Sequence, residues 1–149
     1  MIKCGGGDDG LYEDRKFEQN IQGALANGIQ VGVYFYSGAS NAREAYDEAS
    51  YCISLIRDYQ ITYPVAFDWE LDGDYDSVTE ACETFCNVIS SYGYQPMVYS
   101  NRNRWYNNFD GEKIASKYKV WMAAYFGKFY YDSVRWTYGC LLYTSDAAD

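Results

Sequence analysis

Two acids, Asp68 and Glu70, stand two residues apart at the end of the run Tyr63-Pro-Val-Ala-Phe-Asp-Trp-Glu70. That run reads as a buried strand, opened by Pro64 and continued by Val65, Ala66 and Phe67. Side chains alternate along a strand, so the acids at 68 and 70 point to one face. Crowding on a rigid element raises the pKa of one carboxyl and leaves the other ionised. Such a pair is what acid catalysis of glycoside cleavage requires. The plainer alternative is a pair of solvated acids at a strand end. The apolar residues before them argue against it.

The elements around this pair alternate strand with helix. Ile2-Lys3-Cys4 ends a strand, and a glycine-rich loop follows over 5–10. The spacing of Phe17, Ile21, Ala24 and Leu25 predicts a helix from Glu13 to Asn27, stopped by Gly28. Val31 to Tyr36 reads as a buried strand. Asn41-Ala-Arg-Glu44 has the form of a capping box and opens a helix to about Tyr59. Ser77-Val-Thr-Glu80 has the same form, with a helix to Tyr92 and a stop at Gly93. Gln95 to Ser100 is the next strand. A polar stretch with a short helix spans 101–118, and strands follow over 120–125 and 134–138. This alternation argues for a parallel α/β architecture. Acids at a strand's C-terminal end suit a β/α barrel and a doubly wound sheet equally, so the topology stays open.

Composition narrows the chemistry. The chain has 149 residues and no histidine, which removes Ser-His-Asp and Cys-His catalysis and the common zinc sites. Net charge is −9 and the 12 basic residues are scattered, so no nucleic-acid footprint is expected. Mean hydropathy is −0.43, and no apolar run is long enough for a membrane span. Met1-Ile2-Lys3 leads into Cys4 and the glycines with no apolar signal-peptide core. The 18 tyrosines and 4 tryptophans exceed ordinary usage. Most must serve packing, but aromatic faces at a cleft also suit sugar rings. Five cysteines at 4, 52, 82, 86 and 140 lack metal-ligand spacing, and Cys82 and Cys86 share a helix face as core residues.

Several segments, in order, resemble the glycoside hydrolase family 25 lysozymes, the N-acetylmuramidases. They are Asp14 to Ala24, Gly28 to Ser37, Tyr63 to Glu70, Gly93 to Asn101, Val120 to Tyr125, and Trp136-Thr-Tyr138. The resemblance implies an α/β fold of the irregular TIM-like β/α barrel type. It implies hydrolysis of the β-1,4 bond between N-acetylmuramic acid and N-acetylglucosamine in peptidoglycan. Carried over by position, Glu70 is the general acid and Asp68 orients and polarises the reacting sugar. By a looser transfer, Tyr36, Tyr99 and Trp121 line the saccharide groove. Bacterial cell-wall peptidoglycan is the implied partner, with no obligate protein partner. The implied location is extracellular or at the cell wall, as for a secreted bacterial enzyme or a phage endolysin.

Two departures from the family pattern shape the expected architecture. The family opens with a short strand bearing an aspartate, whereas this chain starts inside the second strand. At 149 residues it is also short for a β/α barrel, which needs about 200 or more. After Gly139 the string Cys140 to Asp149 reads as a non-native read-through tail, so Asp146 and Asp149 are not counted as site acids. The expectation is an incomplete barrel, first strand missing and C-terminal end cut short, with residues 1–139 a partial catalytic domain. The alternative function is an inactive or glycan-binding-only fragment of such a domain.

No cofactor or metal is expected. Asp72, Asp74, Asp76 and Glu83 imitate calcium-loop spacing, but Ser77 stands where the tight turn wants glycine. These acids read instead as a solvated loop beside a helix N-terminus, where the dipole favours them. Added calcium is therefore expected to leave the melting temperature unchanged. A calcium-dependent rise in a thermal scan would establish an ion site.

Overall fold

The computed structural model describes residues 1–73, 76–123 and 141–143. The elements run β1 (Ile2–Gly6), β2 (Tyr12–Glu13), α1 (Phe17–Ala26), β3 (Val33–Ser37), α2 (Ala42–Ile56), β4 (Val65–Trp69), α3 (Val78–Ser91), β5 (Pro96–Asn101), α4 (Arg102–Asn107), α5 (Gly111–Ala115), β6 (Lys119–Ala123) and β7 (Leu141–Tyr143). They build one seven-stranded sheet in the order β2-β1-β3-β4-β5-β6-β7. From β1 through β7 the pairs are parallel, and β2 alone lies antiparallel, on the edge of β1. The parallel strands follow chain order with no reversal. A doubly wound sheet reverses direction at its switch point, so this winding is that of a β/α barrel. Among the described residues the sheet is not closed.

Helices cover one face. Phe35 of β3 and Phe67 of β4 both meet Phe85 of α3, at centroid distances of 6.1 and 5.1 Å. All three rings are fully buried. Their alternate neighbours on the strands therefore face the other way. Cys4, Cys52, Cys82 and Cys86 are free thiols in this core, with Cys4 Sγ 3.8 Å from Cys52 Sγ. Cys140 lies outside the described residues, as do Tyr125, the strand expected over 134–138, and Asp146 and Asp149. Among the described residues no helix is long and apolar enough to cross a membrane.

The helix ends show where local chemistry won and lost. Asn41 caps α2 by accepting the Glu44 N–H at 3.1 Å. Glu44 reaches back to the Ser40 N–H at 2.8 Å, so the box closes one residue earlier than expected. Ser77 is a correction. It stands at the start of α3 without accepting a helix N–H, and its hydroxyl instead points to the carbonyl of Ser40, to which it donates. That bond ties the starts of α2 and α3 together. The first helix is also shorter than expected. Glu13 pairs in β2, and Asp14 Oδ1 accepts the Lys16 N–H at 2.9 Å before α1 begins. The polar stretch after β5 holds two short helices rather than one. Gly93, with φ of 84°, ends α3 in the left-handed region as expected.

Phe85 joins two strands to the helical layer. Phe85→Ala is expected to destabilise the fold by about 3–5 kcal/mol. Urea unfolding measures this, and a loss under about 1 kcal/mol would show that the site collapses around the gap.

Candidate active site

Parallel pairing without slippage sets four side chains on one level. Tyr36 of β3 lies beside Asp68 of β4, Asp68 beside Tyr99 of β5, and Tyr99 beside Trp121 of β6. The row lies near the C-terminal ends of the strands, on the face opposite Phe35 and Phe67. Glu70, just past the end of β4, rises over it. A cavity of about 200 Å³ is lined by Tyr34, Asp68, Glu70, Tyr99 and Trp121. Tyr99 and Trp121 meet edge to face at 4.7 Å and form its aromatic wall.

The two acids differ in environment. Asp68 is 5% exposed, and Glu70 is half-buried. Burial is the main force on Asp68, and the negative charge of Glu70 adds to it. Lys3 pulls the other way, and a side-chain hydrogen bond with Glu70 raises the value further. The result lifts Asp68 from its ordinary 3.8 to about 8. Asp68 therefore holds its proton at neutral pH. Its Oδ1 is buried with no hydrogen-bond partner. A buried acceptor left open at a cavity is costly unless a ligand fills it.

The backbone that carries the pair is held from behind. Trp69, between the acids, turns its ring into the core and donates its indole N–H to the Ala39 carbonyl at 3.0 Å. Its own carbonyl accepts Ser100 Oγ at 2.7 Å. The Glu70 carbonyl accepts Arg104 Nε and Nη2, both at 3.4 Å, and the same guanidinium pairs with Asp72. In front, Lys3 Nζ sits 4.8 Å from the Tyr36 ring centre. Burial raises the Tyr36 hydroxyl pKa first, and the charges of Glu70 and Asp68 raise it further.

The structure brings Asp68, Glu70, Tyr99 and Trp121 to one cavity. Tyr36 shares their row but does not line that cavity. Tyr34, which the sequence reading passed over, does. The usable signal was alternation, since 34 and 36 face the same way. Arg104 and Lys3 were also missed, because neither lies in the acidic strand. A larger cavity of about 520 Å³ lies over the ends of β1 and β3, lined by Gly7, Leu11, Glu44, Asp47, Glu48 and others. It holds neither acid of the pair nor an aromatic wall. Among the described residues no three metal-binding side chains gather. Asp74 lies outside them.

Comparison with known proteins bears on the family and the fold. The sequence profile of glycosyl hydrolases family 25 matches residues 1–146. A lysozyme of Streptococcus phage Cp-1 is 30% identical over 100 residues, covering 64% of this chain and 29% of that protein. A D-alanyl-L-alanine endopeptidase of Streptococcus phage B30 is 33% identical over 101 residues, covering 64% of this chain and 22% of that protein. The chain thus spans less than a third of the length of either relative. Among solved structures, the modular autolysin LytC of Streptococcus pneumoniae, in complex with a synthetic peptidoglycan ligand, superposes with a TM-score of 0.75 at 26% identity. That match covers 88% of this chain and 32% of LytC. With the profile spanning nearly every residue and the fold shared, the chain belongs to the glycosyl hydrolases family 25.

Proposed function

We propose that this chain is the glycosidase part of a lysozyme-type enzyme. It cleaves the β-1,4 bond between N-acetylmuramic acid and N-acetylglucosamine in bacterial peptidoglycan, outside the cell or at the wall. One observation carries the reading: two adjoining carboxyls, one kept protonated by burial, sit under an aromatic wall. The Cp-1 relative is named a lysozyme, and LytC was solved with a peptidoglycan ligand. The endopeptidase name of the B30 relative suits this chain less well. There is no histidine here for Cys–His chemistry, and the four described cysteines are buried.

Glu70 is the general acid in this mechanism, and Asp68 stores the proton. In the empty site Asp68 carries it, hydrogen-bonded to Glu70. A docking N-acetyl sugar offers an amide N–H, and the open Oδ1 of Asp68 accepts it. A donor bonded to a carboxylate favours the ionised form, so the proton passes to Glu70. Glu70 then gives it to the glycosidic oxygen as the C–O bond breaks. Positive charge develops at the anomeric carbon. The Asp68 carboxylate, now ionised, or the acetamido oxygen of the substrate stabilises that charge. Water then adds to the anomeric carbon and gives its proton to the Glu70 carboxylate, which restores the acid.

Glu70→Gln keeps the shape and removes the transferable proton. Clearing of a bacterial wall suspension is expected to fall at least about a hundredfold, with the melting temperature nearly unchanged. Clearing at the parent rate would remove Glu70 from the role. Wall binding without clearing in the parent chain would instead favour a glycan-binding function.

Asp68 also makes a pH prediction about stability. Its folded pKa of about 8 lies above its ordinary 3.8, so the folded state binds more protons between those values. The stability this provides is complete below about pH 4 and is lost as the pH rises through 8. Asp68→Asn removes the loss. The variant should match the parent near pH 4 and exceed it at pH 9, by a few kcal/mol. Glu48, lifted by burial to about 7, slopes the same way in both proteins and cancels in the comparison. Parallel curves from pH 4 to 9 would show that Asp68 ionises freely.

A further inference from the structure

Glu48 of α2 stands outside the groove and is 4% exposed. A carboxyl so enclosed is costly without partners. Oε2 accepts Ser37 Oγ at 2.5 Å, and Oε1 accepts the Gly38 N–H at 2.8 Å. Ser37 Oγ in turn accepts the Ala39 N–H at 3.1 Å. The last residue of β3 and the next are thereby held by one side chain, and Ala39 is tied to it through the Ser37 hydroxyl. The end of β1 makes room for it. A Cβ on Gly7 would lie 2.1 Å from Glu48 Oε1, and the Gly7 N–H bonds the Tyr36 carbonyl at 2.9 Å.

The far side of that turn is the Ala39 carbonyl, the acceptor of the Trp69 indole N–H. A continuous path of hydrogen bonds and three residues of chain thus leads from Glu48 to the residue between the two acids. We propose that Glu48 is a positioning residue for the Asp68–Glu70 pair, acting through the Ser37–Ala39 turn and the indole of Trp69. This inference rests on reading that pair as the reacting groups. An apolar side chain of the same length would fill the space. It would leave the Ser37 hydroxyl and Gly38 N–H without the acceptor they now share, and the turn free to shift.

NMR on the labelled chain tests this without relying on turnover. The Trp69 indole N–H is assigned by its loss in Trp69→Phe. In Glu48→Met and in Ser37→Ala it should exchange with solvent at least about tenfold faster than in the parent. The Asp68 carboxyl, followed by its ¹³C shift, should titrate about half a pH unit or more away from its parent value. Glu48→Gln keeps an acceptor for Gly38 and should restore both readings. Unchanged exchange in both disrupting variants overturns the proposal. So does faster exchange with an unmoved Asp68 titration, since Glu48 would then hold the indole without placing the pair. Parent-rate wall clearing by Glu70→Gln would defeat the reading of the pair and leave these two signals as they stand.

Discussion

Alternation along β4 drives Trp69 into the helix-covered core whenever Asp68 and Glu70 face the groove. The constraint is geometric and follows from the pleat of any strand. Its consequence here is that the largest side chain of the motif anchors its two acids. The ring is fully buried, its N–H and its carbonyl are both bonded, and the next carbonyl is gripped by Arg104. A carboxyl pair placed on a loop would have to be ordered by whatever binds it. This pair is ordered by the fold itself, which is how a site avoids reorganisation when a ligand arrives.

The same placement sets the electrostatics. β4 is flanked by parallel strands on both sides, so an acid on it loses water from its neighbours as well as from the core beneath. Asp68 responds by keeping its proton, and Glu70, past the strand's end, remains within reach of solvent. Two chemically similar groups thus meet different environments because Glu70 lies two residues further on, past the end of the strand. Lys3, on the first parallel strand, tempers the effect from the front and ties the edge of the sheet to its centre.

Much of this was legible in the residues. The apolar runs located β3, β4, β5 and β6, and period-two alternation put Asp68 and Glu70 on one face. The order of the parallel strands was not legible, because both α/β windings share the same alternation of elements. β2 escaped because two residues carry no period. Ser77 misled because a hydroxyl at a helix start can turn away from the helix N–H groups, and here it donates to the Ser40 carbonyl in the turn before α2. Tyr34 was passed over because alternation gives the face but not the level at which a cavity opens. Glu48 had a signal that went unread. It falls within the buried stripe of Ala45, Ala49, Cys52 and Ile56, where an acid is out of place unless something holds it.

The four described cysteines lie at the junction of sheet and helices, each with no accessible surface. Thiols walled in this way are shielded from oxidants and alkylating reagents while the layers stay together. They become reactive only when α2 or α3 lifts away from the strands. The rate at which a small maleimide modifies them therefore counts those openings. The molecule carries an internal clock for its own breathing, distributed over β1, α2 and α3.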